Sequence, residues 1–177
     1  IELKKGDKEY SFLWPLCALI QAAEGMEATH PGTRYMQPVM QAINQYYNAS
    51  LPPRPGYDSY VLSMGGGDRF YDDNQWIGLA YMDAYKRTRN KDYIRLAREI
   101  YDFMLSGYDT AAGGGLYWKE FDHTTKNTCS NGPGILLALH LYNATINKAY
   151  LDTALLLYNW TKQTLQAPDK LYWDNIK

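Results

Sequence analysis

The chain has little cysteine, little histidine and no excess of charge of either sign. Two of its 177 residues are cysteines, Cys17 and Cys129; neither belongs to a CxxC pair or lies beside a histidine, which excludes a sequence-encoded zinc site. Both read as buried free thiols, although the sequence leaves a disulfide between them open. His30, His123 and His140 show no ligand spacing, and His140, on an apolar helical pattern, reads as a satisfied core residue. Eighteen basic and 19 acidic residues are mixed along the chain and leave a formal net charge of −1, so no basic stripe exists to neutralise a phosphate backbone. Nucleic acid is excluded as a partner on that ground. No apolar run reaches the roughly 20 residues of a membrane-spanning helix, and Ile1-Glu2-Leu3-Lys4-Lys5 carries no apolar signal-peptide core. With 46% hydrophobic and 21% charged residues, residues 1–177 have the makeup of one globular domain with no second domain.

Helical periodicity and aromatic side chains are what the chain has in plenty. Met36, Val39, Met40, Ile43 and Tyr47 form one amphipathic stripe; Tyr93, Leu96, Ala97, Ile100, Tyr101 and Met104 form a second; Leu151, Ala154, Leu155 and Tyr158 form a third. Between them, Trp14 to Ile20, Ile77 to Tyr85 and Ile135 to Tyr142 are apolar nearly all round, as expected of inner helices. The turns that join inner to outer helices repeat. Tyr85, Thr88, Asn90, Lys91, Tyr93, Ala97 and Tyr101 recur 57 positions later as Tyr142, Thr145, Asn147, Lys148, Tyr150, Ala154 and Tyr158, with Pro31 to Tyr35 marking the same junction earlier. Long connections, Ser50 to Tyr71 and Tyr108 to Asn131, lie at the opposite end of each hairpin, and loops of that length usually carry function. The pattern predicts an all-α fold of helical-hairpin repeats, an (α/α)6 toroid of which three inner/outer pairs, about half, are present.

Asp72 and Asp73 stand at the predicted head of an inner helix in Tyr71-Asp72-Asp73-Asn74-Gln75-Trp76. As an N-cap with Gln75 three residues on, Asp72 fits a capping box. A cap gives no reason for Asp73, and the equivalent repeat positions, Cys129 and Ser130, start a helix with no carboxylate. Two carboxylates are what glycoside hydrolysis needs, one to attack the anomeric carbon or activate water and one to protonate the departing oxygen. Consecutive α-carbons are about 3.8 Å apart and their helical side chains diverge, so the roughly 5–5.5 Å separation of retaining enzymes is within reach and a wider inverting one stays open. The helix N-terminus favours an ionised carboxylate, while the like neighbour raises the pKa of one member. A magnesium-binding DDxxD motif would need a carboxylate at Trp76, and the glycine runs Gly65 to Gly67 and Gly113 to Gly115 lack the tail of a phosphate loop. The expected site therefore holds no metal.

Phe12 and Trp14, Phe70 and Tyr71, Trp76, and Tyr117 and Trp118 fall where inner helices begin or loops end, so a barrel would gather them at one mouth. Such rings fill cores or stack on sugars; together they favour a carbohydrate. Asn131, opening the third inner helix, is either a cap or a contact to a substrate hydroxyl.

Phe12-Leu13-Trp14-Pro15, Tyr71-Asp72-Asp73-Asn74-Gln75-Trp76, Gly113-Gly114-Gly115-Leu116-Tyr117-Trp118 and Asn127-Thr128-Cys129-Ser130-Asn131-Gly132-Pro133, in that order, resemble glycoside hydrolase family 76, the α-1,6-mannanases. The resemblance implies an α/α toroid that cleaves α-1,6-mannosidic linkages within mannan with retention, with Asp72 as nucleophile and Asp73 as acid/base. With the aromatic mouth, it makes Trp14, Tyr71, Gln75, Trp76, Tyr117, Trp118 and Asn131 the candidate substrate contacts. It also implies no cofactor, α-mannan or manno-oligosaccharide as the partner, and an extracellular, periplasmic or cell-surface setting. Against a complete toroid, the chain is expected to be part of a longer catalytic domain, with exposed helix flanks through which it could self-associate.

Overall fold

A computed structural model describes Gly6 and residues 8–176. Six helices make three antiparallel hairpins: α1 (Leu13–Thr29) with α2 (Met36–Ile43), α3 (Tyr71–Thr88) with α4 (Lys91–Leu105), and α5 (Thr128–Thr145) with α6 (Lys148–Leu165). α3 packs between α1 and α5, and each of these inner helices is backed by its own outer partner. The all-α expectation holds for the frame, and the long connections add short strands. β1 (Tyr47–Asn48) pairs with β2 (Gly56–Tyr57), while β3 (Tyr117–Lys119), β4 (Asp122–Asn127) and β5 (Asn175–Ile176) form a small antiparallel sheet. None of the described helices is long and apolar enough to cross a membrane.

Inner helices lack a polar face because they are covered on several sides. Along α3, Ile77, Leu79, Ala80, Tyr81, Met82 and Ala84 are all buried. Gly78 permits this crowding: a Cβ there would stand 3.1 Å from Ile100 and 3.2 Å from Leu137, so α4 and α5 approach α3 where it has no side chain. The outer helix α4 turns Ile94, Ala97, Ile100, Tyr101 and Met104 inward, close to the expected stripe. Two other stripes need correction. α2 ends at Ile43 and passes through a 3-10 turn, Asn44–Tyr46, so Tyr47 belongs to β1. In α6 the buried positions are Ala154, Leu157, Trp160, Thr161 and Leu165, while Leu155 and Tyr158 are exposed; a helix with apolar residues on several faces does not announce its phase.

The 57-residue repeat is reproduced atom by atom at the hairpin turns. Thr88 and Thr145 donate their hydroxyls to the carbonyls of Ala84 and Leu141, both at 2.7 Å, and accept from the amides of Asn90 and Asn147, both at 3.2 Å. Asn90 and Asn147 then cap the outer helices, accepting from the amides of Asp92 and Ala149 at 3.0 and 3.1 Å. Such caps contribute about 1 kcal/mol each. The inner helices α3 and α5 close on left-handed residues, Arg89 at φ 59° and Ile146 at φ 57°, whose amides return to the carbonyls of Tyr85 and Tyr142.

Candidate functional site

The opposite end of the hairpins builds a cleft. Arg69, fully buried, immediately precedes the α3 junction; its Nε and Nη2 donate to the two oxygens of Glu120 at 2.6 and 2.8 Å, and its Nη1 donates to the Arg54 carbonyl at 2.8 Å. A buried guanidinium held this way ties the 50–71 connection to the β3–β4 turn, and it tolerates burial because its donors are satisfied. Phe70 then takes an extended conformation as the N-cap residue, without a side-chain cap, and α3 begins at Tyr71. Asp72 is consequently inside the first turn and does not cap the helix, which corrects the capping-box expectation.

Asn74 anchors this helix start. Its Nδ2 donates to the carbonyls of Tyr57 at 3.0 Å and Phe70 at 2.8 Å, and its Oδ1 accepts from the Tyr57 amide at 2.7 Å. Asn131, 57 residues on, does the same for α5: Nδ2 to the carbonyls of Leu116 and Asn127 at 3.1 and 2.8 Å, Oδ1 from the Leu116 amide at 2.9 Å. Asn131 is fully buried and its amide is spent on backbone, so it is neither an N-cap nor a substrate contact.

Two fixed helix starts place Asp72 and Asp73 with Cys129 at the base of a cleft of about 580 Å³. Phe12, Trp14, Phe70 and Trp118 wall it, with the Phe70 and Trp118 ring centroids 5.0 Å apart, and Ser59 and Asp68 form its polar rim. Burial, and then the charge of Asp72, raise the Asp73 carboxyl from the usual carboxylate range to about 7. Burial raises Asp72 as well. There the nearby Cys129 thiol, the helix-start amides of Asp72 and Asp73, and Trp118 favour the ionised form and oppose the rise. Asp72 Oδ1 is nonetheless buried without a hydrogen-bond partner among the described residues. Cys129, pushed up to about 12 by burial and by Asp72, stays a neutral thiol. Cys17, also raised by burial, donates its S–H to the Asp73 carbonyl at 3.2 Å. Both cysteines are free, which settles the disulfide question; Cys17 is buried as expected and Cys129 is half-buried. Among the described residues no group of three or more His, Cys, Asp or Glu side chains is arranged to hold a metal.

The predicted contacts divide. Trp14 and Trp118 line the cleft, each with a substantially exposed ring. Trp76 is half-buried and lines, again with Trp14, an apolar groove next to the cleft on α1. Tyr71 is buried against Phe103, ring centroids 5.0 Å apart, and Tyr117 is buried with its hydroxyl donating to Asp109 at 2.8 Å. Both face away because the residue after a wall residue in the chain, or before it, points elsewhere. Gln75 is fully buried toward Gly134 of α5 and cannot reach a ligand in the cleft. The sequence reading missed Ser59, Asp68 and Cys129. Cys129 had a signal, since the repeat relates it to Asp72; Ser59 and Asp68, in an irregular connection, had none.

The family model for glycosyl hydrolase family 76 matches residues 4–177. A family 76 α-mannanase of Bacteroides thetaiotaomicron superposes with a TM-score of 0.83 at 30% identity, over 93% of this chain and 48% of its own. An inactive variant of the α-1,6-mannanase of Salegentibacter sp., with two consecutive aspartates replaced and α-1,6-mannotetrose bound, superposes with a TM-score of 0.73 at 27% identity, over 98% of this chain and 48% of its own. The mannan endo-1,6-α-mannosidase of Saccharomyces cerevisiae is 32% identical over 100 residues, 50% of this chain and 22% of that protein. The chain thus spans about half the length of these solved structures and a smaller part of the curated relative.

Proposed function

Because the chain belongs to glycosyl hydrolase family 76, we propose that it supplies the acid-bearing wall of an endo-acting glycoside hydrolase that cleaves α-1,6-mannosidic linkages within mannan with retention. One observation carries the reading: two consecutive carboxylates share the base of an aromatic-walled cleft, where burial raises both, Asp73 to about 7, while hydrogen bonds oppose the rise at Asp72. The relatives support it, being mannan-cleaving enzymes by name, one of them inactive when two consecutive aspartates are replaced.

In this mechanism Asp72 attacks the anomeric carbon as the glycosidic C–O bond breaks, and Asp73 gives its proton to the departing oxygen. A glycosyl ester on Asp72 results. Water then attacks the same carbon, Asp73 takes its proton, and the ester bond breaks, restoring both side chains. Two inversions at one carbon give net retention. The pair titrates as a unit, so the acid limb and the alkaline limb of activity belong to both carboxylates together. Phe12, Trp14, Phe70 and Trp118 offer flat faces to the C–H side of the sugar rings.

Residues 1–177 act as one partial catalytic domain of three hairpins in this reading. A mannan polymer is met outside the cell, which supports an extracellular, periplasmic or cell-surface setting. Exposed apolar side chains, Leu19 and Met26 on α1 and Leu155, Leu156 and Tyr158 on α6, support association through the helix flanks. Sedimentation over a concentration series tests that part. The activity is tested by incubating the protein with α-1,6-mannan. Oligosaccharides with retained anomeric configuration are expected, and Asp72→Asn and Asp73→Asn should each remove at least about 10³-fold of the rate with helical circular dichroism unchanged. Binding of mannan without hydrolysis by the unaltered protein would instead indicate a glycan-binding module.

A further inference from the structure

The aromatic walls of the cleft grip a sugar ring without reading its hydroxyls, and Asp72 and Asp73 are committed to the anomeric centre. Among the described residues, that leaves Asp68 as the remaining charged side chain on the cleft lining. Its side chain is 58% exposed, and Oδ2 accepts from Lys119 Nζ at 2.9 Å. The backbone around it is fixed from three sides. Arg69, the next residue, is the buried guanidinium clamped on Glu120. Phe70 pairs with Lys119 in an antiparallel bridge, and the Ser59 amide donates to the Asp68 carbonyl at 2.9 Å. Gly67 makes the last contact feasible, since a Cβ there would stand 2.4 Å from Ser59 Oγ.

Resting on the proposed sugar-cleaving function, we infer that Asp68 is a specificity-determining residue, a preorganised carboxylate that accepts hydrogen bonds from hydroxyls of the sugar held between the aromatic walls. Lys119 occupies one acceptor site of Oδ2, and the three backbone fixings hold the carboxylate in place without it. A carboxylate is an acceptor only, with lone pairs left on both oxygens after one ammonium contact, so it suits the paired donors of neighbouring hydroxyls. Sugars that differ in the configuration of one hydroxyl keep most of their C–H surface in common for Phe12, Trp14, Phe70 and Trp118. Discrimination between them falls to a fixed polar group. Among the described residues Ser59 is the other polar group on the rim, and its hydroxyl can donate or accept and so selects less.

The test uses the Asp73→Asn protein, which stops turnover, and calorimetric titration with α-1,6-mannotetraose and with α-1,6-glucotetraose, whose residues differ from mannose only at C2. The Asp73→Asn protein is expected to prefer the mannose oligomer. Adding Asp68→Ala should weaken mannotetraose binding by about 10- to 100-fold, the scale of a hydrogen bond to a charged group, and should narrow the preference over glucotetraose. Adding Lys119→Ala breaks the same surface strap and should change affinity by less than about threefold. Equal losses in the two variants would overturn the inference, because the strap alone would then explain them. Unchanged affinity and preference in Asp68→Ala would overturn it too. Failure of the Asp73→Asn protein to bind either sugar would overturn the sugar-cleaving reading itself, and this inference with it.

Discussion

The starts of α3 and α5 are two copies of one structure with different cargo. Each follows a long connection, each begins after an extended residue, Phe70 or Asn127, and each is locked by a buried asparagine, Asn74 or Asn131, that makes three hydrogen bonds to backbone. Between extended residue and asparagine they diverge: α3 carries Asp72 and Asp73, α5 carries Cys129 and Ser130. The hairpin frame therefore folds equally well without carboxylates at these two positions. Raised carboxyl pKa values at α3 are a cost that the frame does not require, which supports the functional role proposed for the pair.

Transplanting the α5 residues onto α3 should break the comparison most sharply. The double variant Asp72→Cys, Asp73→Ser is expected to lose at least about 10³-fold of mannan hydrolysis while its melting temperature at pH 7 stays level or rises, since two desolvated acids are removed. A melting temperature lowered by the exchange would mean that the acids also serve the frame. Next in size is the pH dependence of stability. Asp73 titrates near 7 when folded and near its ordinary 3.8 when unfolded, so between those values the folded state holds the extra proton and stability falls as pH rises. Urea unfolding at pH 4.5 and 7.5 should show a loss of about 3 kcal/mol from this group, smaller in Asp73→Asn. Hydrolysis should likewise decline as pH climbs through about 7, where the coupled pair loses the proton that the proposed mechanism gives to the departing oxygen.

Asn74→Ala and Asn131→Ala probe what the two starts share. Each should destabilise by about 3 kcal/mol in urea unfolding, because backbone groups of Tyr57 or Leu116 lose their partners. Smallest are the turn ends: Asn90→Ala and Asn147→Ala should cost about 1 kcal/mol each, and equal costs would show that the hairpin turns are interchangeable units.

The hairpins, their inner and outer roles and the acid pair were legible because each leaves a local trace: a 3.6-residue period, a 57-residue echo, an excess of charge. The asparagine clamps share the 57-residue spacing, but nothing local shows what they do. In sequence Asn131 reads as a cap or a substrate contact, and the partners of Asn74 and Asn131, Tyr57 and Leu116, lie 17 and 15 residues upstream across irregular chain. Helix phase was the second blind spot. Starting α3 at Tyr71 with Phe70 as the cap residue moves Asp72 inside the first turn and sends Tyr71 into Phe103, while Tyr117 turns inward beside the wall residue Trp118. Asp68 and Lys119 meet at the rim only because Arg69 and Glu120 pair beneath them, a long-range contact with no sequence period to reveal it.

The assignment of the reactive pair is tested most directly by trapping. A 5-fluoro-mannosyl fluoride forms its glycosyl ester quickly and hydrolyses it slowly, and trypsin should then release the acids on the peptide from Phe70 to Lys86. One sugar adduct per chain is expected, located on Asp72 of that peptide and absent from the Asp72→Asn protein. An adduct on Asp73 or on another peptide, or no adduct on the folded protein, would contradict it.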